Sequence, residues 1–231
     1  MRKIVIFCIV FLALGLLLYG SYKLMNARTY QVFGELVYRV ETEQKRVALT
    51  FDDGPTPNVE SLLPLLDQYN AKATFFLIGK ELENHLQLGK DIVAAGHQLG
   101  NHTYSHNRMV LKSPSFIKDE IEKTNVLIRQ AGYHGRINFR PPNGKKLIGL
   151  PYYLKGQNMR TVMWDLEPDT YFTSVADKVD YVSTNVKPGS IILLHPMYDS
   201  TGNELKVIEG ILESLTEKGF EFVTVEELIR Q

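Results

Sequence analysis

Short apolar runs alternate with amphipathic helical patterns along most of this chain, and this alternation constrains the fold more than any other feature. The runs Val47–Phe51, Ala73–Ile78 and Ile191–Leu194 have the length and composition of buried strands. Between such runs, segments such as Ser115–Gln130 carry apolar residues at helical spacing, and a glycine follows soon after the last of them. Strand and helix patterns alternate about seven times after residue 45. This alternation predicts an α/β fold built on a parallel sheet.

Seven segments carry the predicted strands, and several of them are apolar throughout. Such strands suit a parallel sheet that is buried on both faces. Seven strand–helix units are more than most open sheets contain, so we expect a distorted or incomplete (β/α) barrel with about seven parallel strands. The predicted strands are 46–51, 73–78, 97–100, 136–140, 161–164, 190–195 and 220–223.

The first residues of the chain form a separate element. Ile4–Tyr19 is an unbroken apolar run that includes one glycine, and two basic residues precede it. With the next three residues it approaches the roughly 20 that cross a bilayer as a helix. We expect an N-terminal transmembrane helix at 1–22 with its N-terminus inside the cell, a juxtamembrane spacer at 23–44 and a globular domain at 45–231. The domain would then lie on the extracellular, cell-wall side of a single-pass membrane protein. A cleaved signal peptide is the alternative, and it would make the domain secreted.

Composition excludes several classes of function. The 26 basic residues balance 26 acidic ones, so no basic excess points to nucleic acid. The only cysteine, Cys8, lies inside the apolar segment, which leaves the globular part with no disulfide and no cysteine ligand or nucleophile. We expect no nucleic-acid partner and infer no required protein partner.

Polar side chains with catalytic potential follow the ends of five predicted strands. The carboxyl ends of parallel strands meet at one rim of a sheet, where ligands and chemistry are usually found. We therefore expect these side chains to converge. They are Asp52, Asp53, His102, His106, Arg140, Asp165 and His195.

The histidine pair and the adjacent carboxylates predict a metal site. His102 and His106 are separated by three residues, a spacing that places two imidazoles on one side of a helical turn or a similar loop. Two histidines alone are often only surface residues, but one carboxylate from Asp52–Asp53 would complete a catalytic set with open positions for water and substrate. The other carboxylate would take a proton from the water, and the residues alone leave the two roles interchangeable. Arg140 suits a partner for the free carboxylate, and His195 suits a general acid.

These segments resemble the motifs of the polysaccharide deacetylase family, also called the NodB-homology domain or carbohydrate esterase family 4. The resemblance covers about residues 45–230. Thr50–Pro55 resembles the first motif, and Asn101–His106 resembles the second. Arg140–Pro142 is similar to the third motif, and Leu193–His195 is similar to the fifth.

The resemblance implies a role for each matching residue and one divalent metal ion, with Zn²⁺ expected first and Co²⁺ or Mn²⁺ also suited to the ligands. It implies that Asp52 is the catalytic base, that Asp53, His102 and His106 are the metal ligands, that Arg140 positions the base, that Leu193 lines the acetyl pocket and that His195 is the general acid.

Two motifs depart from the family pattern. The third continues with Asn143 where an aromatic or similar residue is usual, and the fourth lacks an Asp–Trp pair. Either Asp169 or Glu167 is therefore expected to tune the general acid. Both departures fall on the predicted wall of the substrate groove. We place that wall at Pro141, Pro142, Asn143, Trp164, Tyr171 and Leu193.

The resemblance implies a bacterial enzyme that hydrolyses N-acetyl groups from amino sugars of a cell-surface glycan and releases acetate. Peptidoglycan, chitin-like oligosaccharides and poly-N-acetylglucosamine are the expected substrates. One alternative is a metal-dependent hydrolase of another amide or imide bond. Another is a glycan-binding module without catalytic activity, which the altered third and fourth motifs suggest.

Overall fold

The computed structural model describes residues 2–230 and has a parallel β-sheet packed against helices, which confirms the predicted α/β class. The strands are β1 Leu36–Val37, β2 Arg46–Asp52, β3 Ala73–Leu77, β4 Gln98–Asn101, β5 Thr161–Val162, β6 Ile191–Leu194 and β7 Glu221–Phe222. The helices are α1 Arg2–Asn26, α2 Val59–Gln68, α3 Gly79–Asn84, α4 Leu86–Ala94, α5 Pro114–Gln130, α6 Gly149–Gly156, α7 Val175–Asn185, α8 Asn203–Glu217 and α9 Val225–Ile229.

Strand β2 is the centre of the sheet. It pairs in parallel with β3 on one side and with β6 on the other, and β4 lies beyond β3. Strand β7 pairs with the first residues of β2. The register sets Asp52 opposite Phe76 and Asn101 opposite Leu77, and it sets Phe51 opposite Leu194. The segments that follow β2, β4 and β6 therefore leave the sheet at one edge.

The prediction of a strand at 136–140 is wrong. Only Phe139 pairs there, through single parallel bridges to Asn101 and Thr161. Pro141 and Pro142 follow directly, and because proline has no backbone N–H they cannot extend a ladder of hydrogen bonds. A further parallel bridge joins Leu166 to β6. The barrel with seven strands stays a prediction.

Strand β1 lies within the segment that we interpreted as a juxtamembrane spacer. Its two residues pair in parallel with Thr161 and Val162 of β5. Leu36 and Val37 also pack against a buried cluster that includes Trp164. Part of the segment at 23–44 is therefore attached to the sheet.

Helix α1 contains the apolar N-terminal run and is long and apolar enough to cross a membrane. A signal sequence has the same properties, so the helix is a candidate membrane span. The chain at its C-terminal end contacts the segment before α6. The Met25 carbonyl accepts a hydrogen bond from the Lys146 amide at 3.3 Å, and the ammonium groups of Lys145 and Lys146 bind the Asn26 side chain and the Ala27 carbonyl.

Candidate active site

The two adjacent aspartates lie where β2 ends, and the backbone turns sharply between them. Asp53 has a left-handed conformation with φ of 74°, and its amide donates to the Phe76 carbonyl at 3.1 Å. Asp52 is almost fully buried. Asp53 is partly exposed, but its Oδ1 atom is buried and has no hydrogen-bond partner within residues 2–230. Such an orphaned carboxylate oxygen is the observation expected of a metal ligand.

The loop after β4 carries both predicted histidine ligands, and local hydrogen bonds fix its shape. Asn101 accepts from the Thr103 amide at 2.8 Å. The amide and hydroxyl of Ser105 both donate to Glu120 of α5 at 2.8 Å. Thr103 and His106 have φ values of 68° and 56°, so the loop is not a helical turn. It nevertheless brings both imidazole rings to one side, with their centroids 4.9 Å apart.

The protonation of His102 suits a metal ligand. Its Nδ1 atom lies 2.7 Å from the Arg140 carbonyl, so Nδ1 carries the hydrogen and Nε2 is left bare. Burial lowers the pKa of His102 below the ordinary histidine value despite the nearby charges of Asp52 and Asp53. The neutral imidazole is therefore favoured, which is the form that binds metals.

Asp53, His102 and His106 bring three ligand atoms together, all within 4.8 Å of one another. The Asp53 Oδ1 atom lies 3.9 Å from Nε2 of His102 and 3.4 Å from Nε2 of His106. Two imidazole nitrogens and one carboxylate oxygen are a donor set that suits Zn²⁺ and leaves room for further ligands. The residues present therefore fit a divalent ion.

Asp52 forms a buried ion pair with Arg140. The Arg140 Nη1 atom donates to Oδ1 of Asp52 at 2.7 Å and to the Thr50 hydroxyl at 2.8 Å. Its other nitrogens donate to the Val162 and Met163 carbonyls, so the guanidinium is held on all sides. Burial alone would raise the pKa of Asp52, but the charges of Arg140, His102 and His195, together with the hydrogen bond from Arg140, lower that pKa. Asp52 is therefore ionised at neutral pH, and Arg140 binds only one of its two carboxylate oxygens.

His195 follows β6, and its ring contacts Asp169 rather than Glu167. Nδ1 of His195 lies 3.0 Å from the Asp169 carboxylate, whose other oxygen forms an ion pair with the Lys178 ammonium at 2.8 Å. Burial by itself would lower the pKa of His195, but the hydrogen bond to Asp169 and the charges of Asp52 and Asp169 raise it to about 9. His195 is therefore protonated at neutral pH.

Asn58 steadies the loop that follows His195. The side-chain amide of Asn58 donates to the Pro196 and Asp199 carbonyls at 2.8 Å instead of capping α2.

A cavity of about 320 Å³ joins these groups. Three of the residues that we predicted for the groove wall line this cavity: Asn143, Trp164 and Leu193. Tyr171 is exposed and packs against Phe172 and Tyr181 beside the cavity wall. The residues that line the cavity are Arg28, Asp52, Asp53, His102, His106, Asn143, Trp164, Glu167, Thr170, Leu193 and His195.

Pro141 and Pro142 are buried, and they hold the turn that presents Asn143 to the cavity. Asn143 has a left-handed φ of 54°, and its side-chain oxygen accepts from Arg108 at 3.1 Å. Asp165 has a structural role away from these groups: it accepts from the Ser190 hydroxyl and the Ile191 amide, both at 2.8 Å. The expectation that Asp165 joins the other strand-end residues is therefore wrong.

The sequence interpretation missed Arg28 and the position of Glu167 in the cavity wall. The Arg28 guanidinium lies 4.8 Å from the Trp164 ring centroid and donates to Glu167 at 2.9 Å. Glu167 also accepts from the Trp164 indole at 3.0 Å. Arg28 lies more than twenty positions before the first motif, so only the tertiary structure brings it to the site.

The chain is similar to several known proteins. A family model described as polysaccharide deacetylase matches residues 39–162. A peptidoglycan-N-acetylglucosamine deacetylase of Bacillus cereus is 32% identical over 201 residues, which cover 85% of this chain and 94% of that protein. The peptidoglycan-N-acetylmuramic acid deacetylase PdaC of Bacillus subtilis is 30% identical over 192 residues, which cover 82% of this chain and 40% of PdaC.

Two solved structures share the fold. The first is a peptidoglycan N-acetylglucosamine deacetylase in complex with an N-oxidanyl-benzamide compound. It has a TM-score of 0.79 at 32% identity, and the match covers 86% of this chain and 94% of that one. The second is described as a CE4 family pseudoenzyme from Bacillus anthracis. It has a TM-score of 0.75 at 29% identity, and the match covers 85% and 69% of the two chains. The family model spans more than half of the sequence, and the family that the sequence resembles is confirmed: the chain belongs to the polysaccharide deacetylase family of hydrolases.

Proposed function

We propose that this chain is a metal-dependent enzyme that removes the acetyl group from N-acetylated amino sugars of peptidoglycan or a related cell-surface glycan and releases acetate. One observation carries the proposal. The bare Oδ1 of Asp53 and the Nε2 atoms of His102 and His106 face the same cavity as the ionised Asp52 and the protonated His195. A metal site, a base and an acid around one cavity are the groups that amide hydrolysis requires.

Each group has a part in the reaction. A Zn²⁺ ion, or Co²⁺ or Mn²⁺ in its place, would polarise the acetyl carbonyl and lower the pKa of water when bound to Asp53, His102 and His106. Asp52 accepts a proton from the attacking water, and Arg140 keeps that carboxylate ionised and in place.

His195 donates a proton to the sugar nitrogen as the carbon–nitrogen bond breaks. The water oxygen ends in acetate, and the nitrogen leaves as a free amine. Leu193, buried at the cavity wall, provides an apolar contact for the acetyl methyl group.

The location and the fold are part of the proposal. Helix α1 supports an anchor at 1–22, the basic residues before it support an extracellular catalytic domain at 45–231, and the segment 23–44 would link the two. Cleavage of the N-terminal segment would instead release the domain. The bridges at Phe139 and Leu166 support a distorted barrel, because they join the β5 side of the sheet to β4 and β6.

Acetate release tests the proposal. The full-length protein is incubated with purified peptidoglycan and with N-acetylglucosamine oligomers, and acetate is measured. The Asp52→Asn variant is expected to lose about 100-fold or more in kcat because the base is gone. Asp165→Asn is the matched control, since it changes an aspartate whose bonds to Ser190 and Ile191 are structural. Full activity of Asp52→Asn, or of thoroughly metal-depleted protein, would contradict the mechanism.

A glycan-binding protein without catalytic activity is the second candidate. It is favoured by Asn143 in the third motif, by the missing Asp–Trp pair and by the structural similarity to a pseudoenzyme. Metal-loaded protein that binds glycans and releases no acetate would support it. Turnover of small cyclic imides without glycan activity would instead favour a hydrolase of another amide or imide bond.

A further inference from the structure

An exposed apolar surface flanked by lysines lies near the C-terminal end of α1. Leu111, Ile148 and Tyr152 are 89%, 51% and 67% exposed. Lys112 and Lys155 line the adjoining groove, and the groove continues from Tyr152 to Leu111 and Ile148. We call these five residues the Leu111 patch. Contiguous exposed apolar side chains on a protein surface mark a site of contact with another surface.

The contacts at the end of α1 determine how far this patch lies from a membrane. Met25 is six residues beyond Tyr19, the last residue of the apolar run. At 1.5 Å per residue, Met25 lies about 9 Å beyond the end of that run. The headgroup region on each face of a bilayer is roughly 5–8 Å thick. Lys146 donates to the Met25 carbonyl, and Ile148 of the patch is only two residues further along the chain. Ile148 can therefore lie no more than about 7 Å from Lys146, which places it close to the outer edge of the headgroup region.

We infer that the Leu111 patch rests on the headgroups of the outer leaflet, an inference that depends on the membrane anchor in the proposed function. Its chemistry matches that surface. Tyrosine is favoured at membrane interfaces because it joins an apolar ring to a polar hydroxyl, and an apolar face flanked by basic residues binds at the membrane surface. Lys112 and Lys155 would face anionic lipid phosphates, which attract basic residues close to the bilayer.

The contact would fix the orientation of the catalytic cavity. The chain that leaves α1 reaches the cavity wall at Arg28, two residues after Asn26. Asn143 also lines the cavity, and it lies two residues before Lys145, which binds Asn26 at the end of α1. A domain resting on the patch therefore keeps the cavity close to the membrane. Glycan segments nearest the bilayer would be its preferred substrate.

Site-directed spin labelling of the full chain in lipid nanodiscs tests this inference. The lipid is one part phosphatidylglycerol to three parts phosphatidylethanolamine. Cys8 is the only native cysteine, so Cys8→Ser gives a background for single labels at Leu111→Cys and Tyr152→Cys. Glu217→Cys is the matched control, because Glu217 is exposed on α8, which packs against α2 and α7. Accessibility to oxygen and to a water-soluble chromium chelate is measured for each label, and circular dichroism checks folding.

The labels at 111 and 152 are expected to be more accessible to oxygen and less accessible to the chelate than the label at 217. The double substitution Lys112→Glu and Lys155→Glu should shift both accessibilities toward those of the control label. Values equal to the control would overturn the inference, as would spin–spin broadening that reveals contact with a second copy of the chain. A label on native Cys8 distinguishes a failure of the membrane anchor from a failure of the patch contact. If Cys8 is exposed to water, the anchor itself is wrong. If Cys8 lies in lipid while 111 and 152 lie in water, only the patch contact fails.

Discussion

Replacing Asp169 by asparagine should move the alkaline limit of activity to lower pH. His195 donates a proton in the proposed reaction, so activity falls as pH rises through its pKa, which is about 9 in place of the ordinary 6.5. A difference of this size corresponds to roughly 3 kcal/mol, at about 1.4 kcal/mol for each pH unit. Because 38% of the His195 side chain is exposed, water screens the interaction, and we expect only about half of this free energy to be lost with the Asp169 charge. The alkaline limb of kcat should therefore fall by about one pH unit.

The assay is the pH profile of kcat for acetate release, measured for the wild type, Asp169→Asn and Glu167→Gln. Glu167→Gln is the matched control because it also neutralises an acidic side chain near the cavity. Glu167 binds Trp164 and Arg28 rather than His195. A shift caused by Glu167→Gln and not by Asp169→Asn would refute the assignment. Folding stability gives a second readout. A raised pKa stabilises the fold fully below pH 6.5, and that stabilisation is lost as pH rises through about 9; Asp169→Asn should weaken this dependence.

Three further substitutions probe the metal, the buried ion pair and the cavity wall. His106→Ala removes one of three ligands, and we expect mass spectrometry of the purified protein to find less than one metal ion per chain, whereas wild-type protein should hold one. Arg140→Met leaves the Asp52 charge buried and unpaired, so urea denaturation should show a loss of about 3–5 kcal/mol; an unchanged midpoint would contradict the account of the pair. Arg28→Ala removes the cation stacked on Trp164. KM should then rise about two- to fivefold, the equivalent of about 0.5–1 kcal/mol, and kcat should stay unchanged. Arg28→Lys keeps the charge and therefore tests stacking separately from charge.

The fold was predictable where a strand is long and buried. Strands β2 and β3 were expected at 46–51 and 73–78 and lie at Arg46–Asp52 and Ala73–Leu77, because unbroken apolar runs between turns have few alternatives. Strand β1 could not be predicted, since two residues carry no periodicity and it forms only by pairing with β5. The segment at 136–140 has strand-like residues, but its pairing depends on neighbours that reach only Phe139.

The site was predictable to the extent that strand ends determine it. The shared rim of a parallel sheet was enough to bring Asp53, His102 and His195 to one cavity. Arg140 reaches Asp52 although the segment before it pairs only at Phe139. The choice between Asp169 and Glu167 was open because a short 3-10 turn at 168–170 decides which carboxylate reaches His195. Asp165 was misplaced because its side chain turns toward the amide of Ile191. These outcomes depend on side-chain direction in irregular segments, which periodicity does not encode.

Parallel measurement of acetate and free amine released from purified peptidoglycan tests the central claim most directly. The wild-type protein is compared after metal removal and again after one equivalent of Zn²⁺ is restored. We predict equal amounts of acetate and amine with Zn²⁺ bound, loss of both after metal removal and recovery on restoration. Products that form at the same rate in metal-free protein, or acetate without a matching amine, would contradict metal-dependent N-deacetylation at the Asp53, His102 and His106 site.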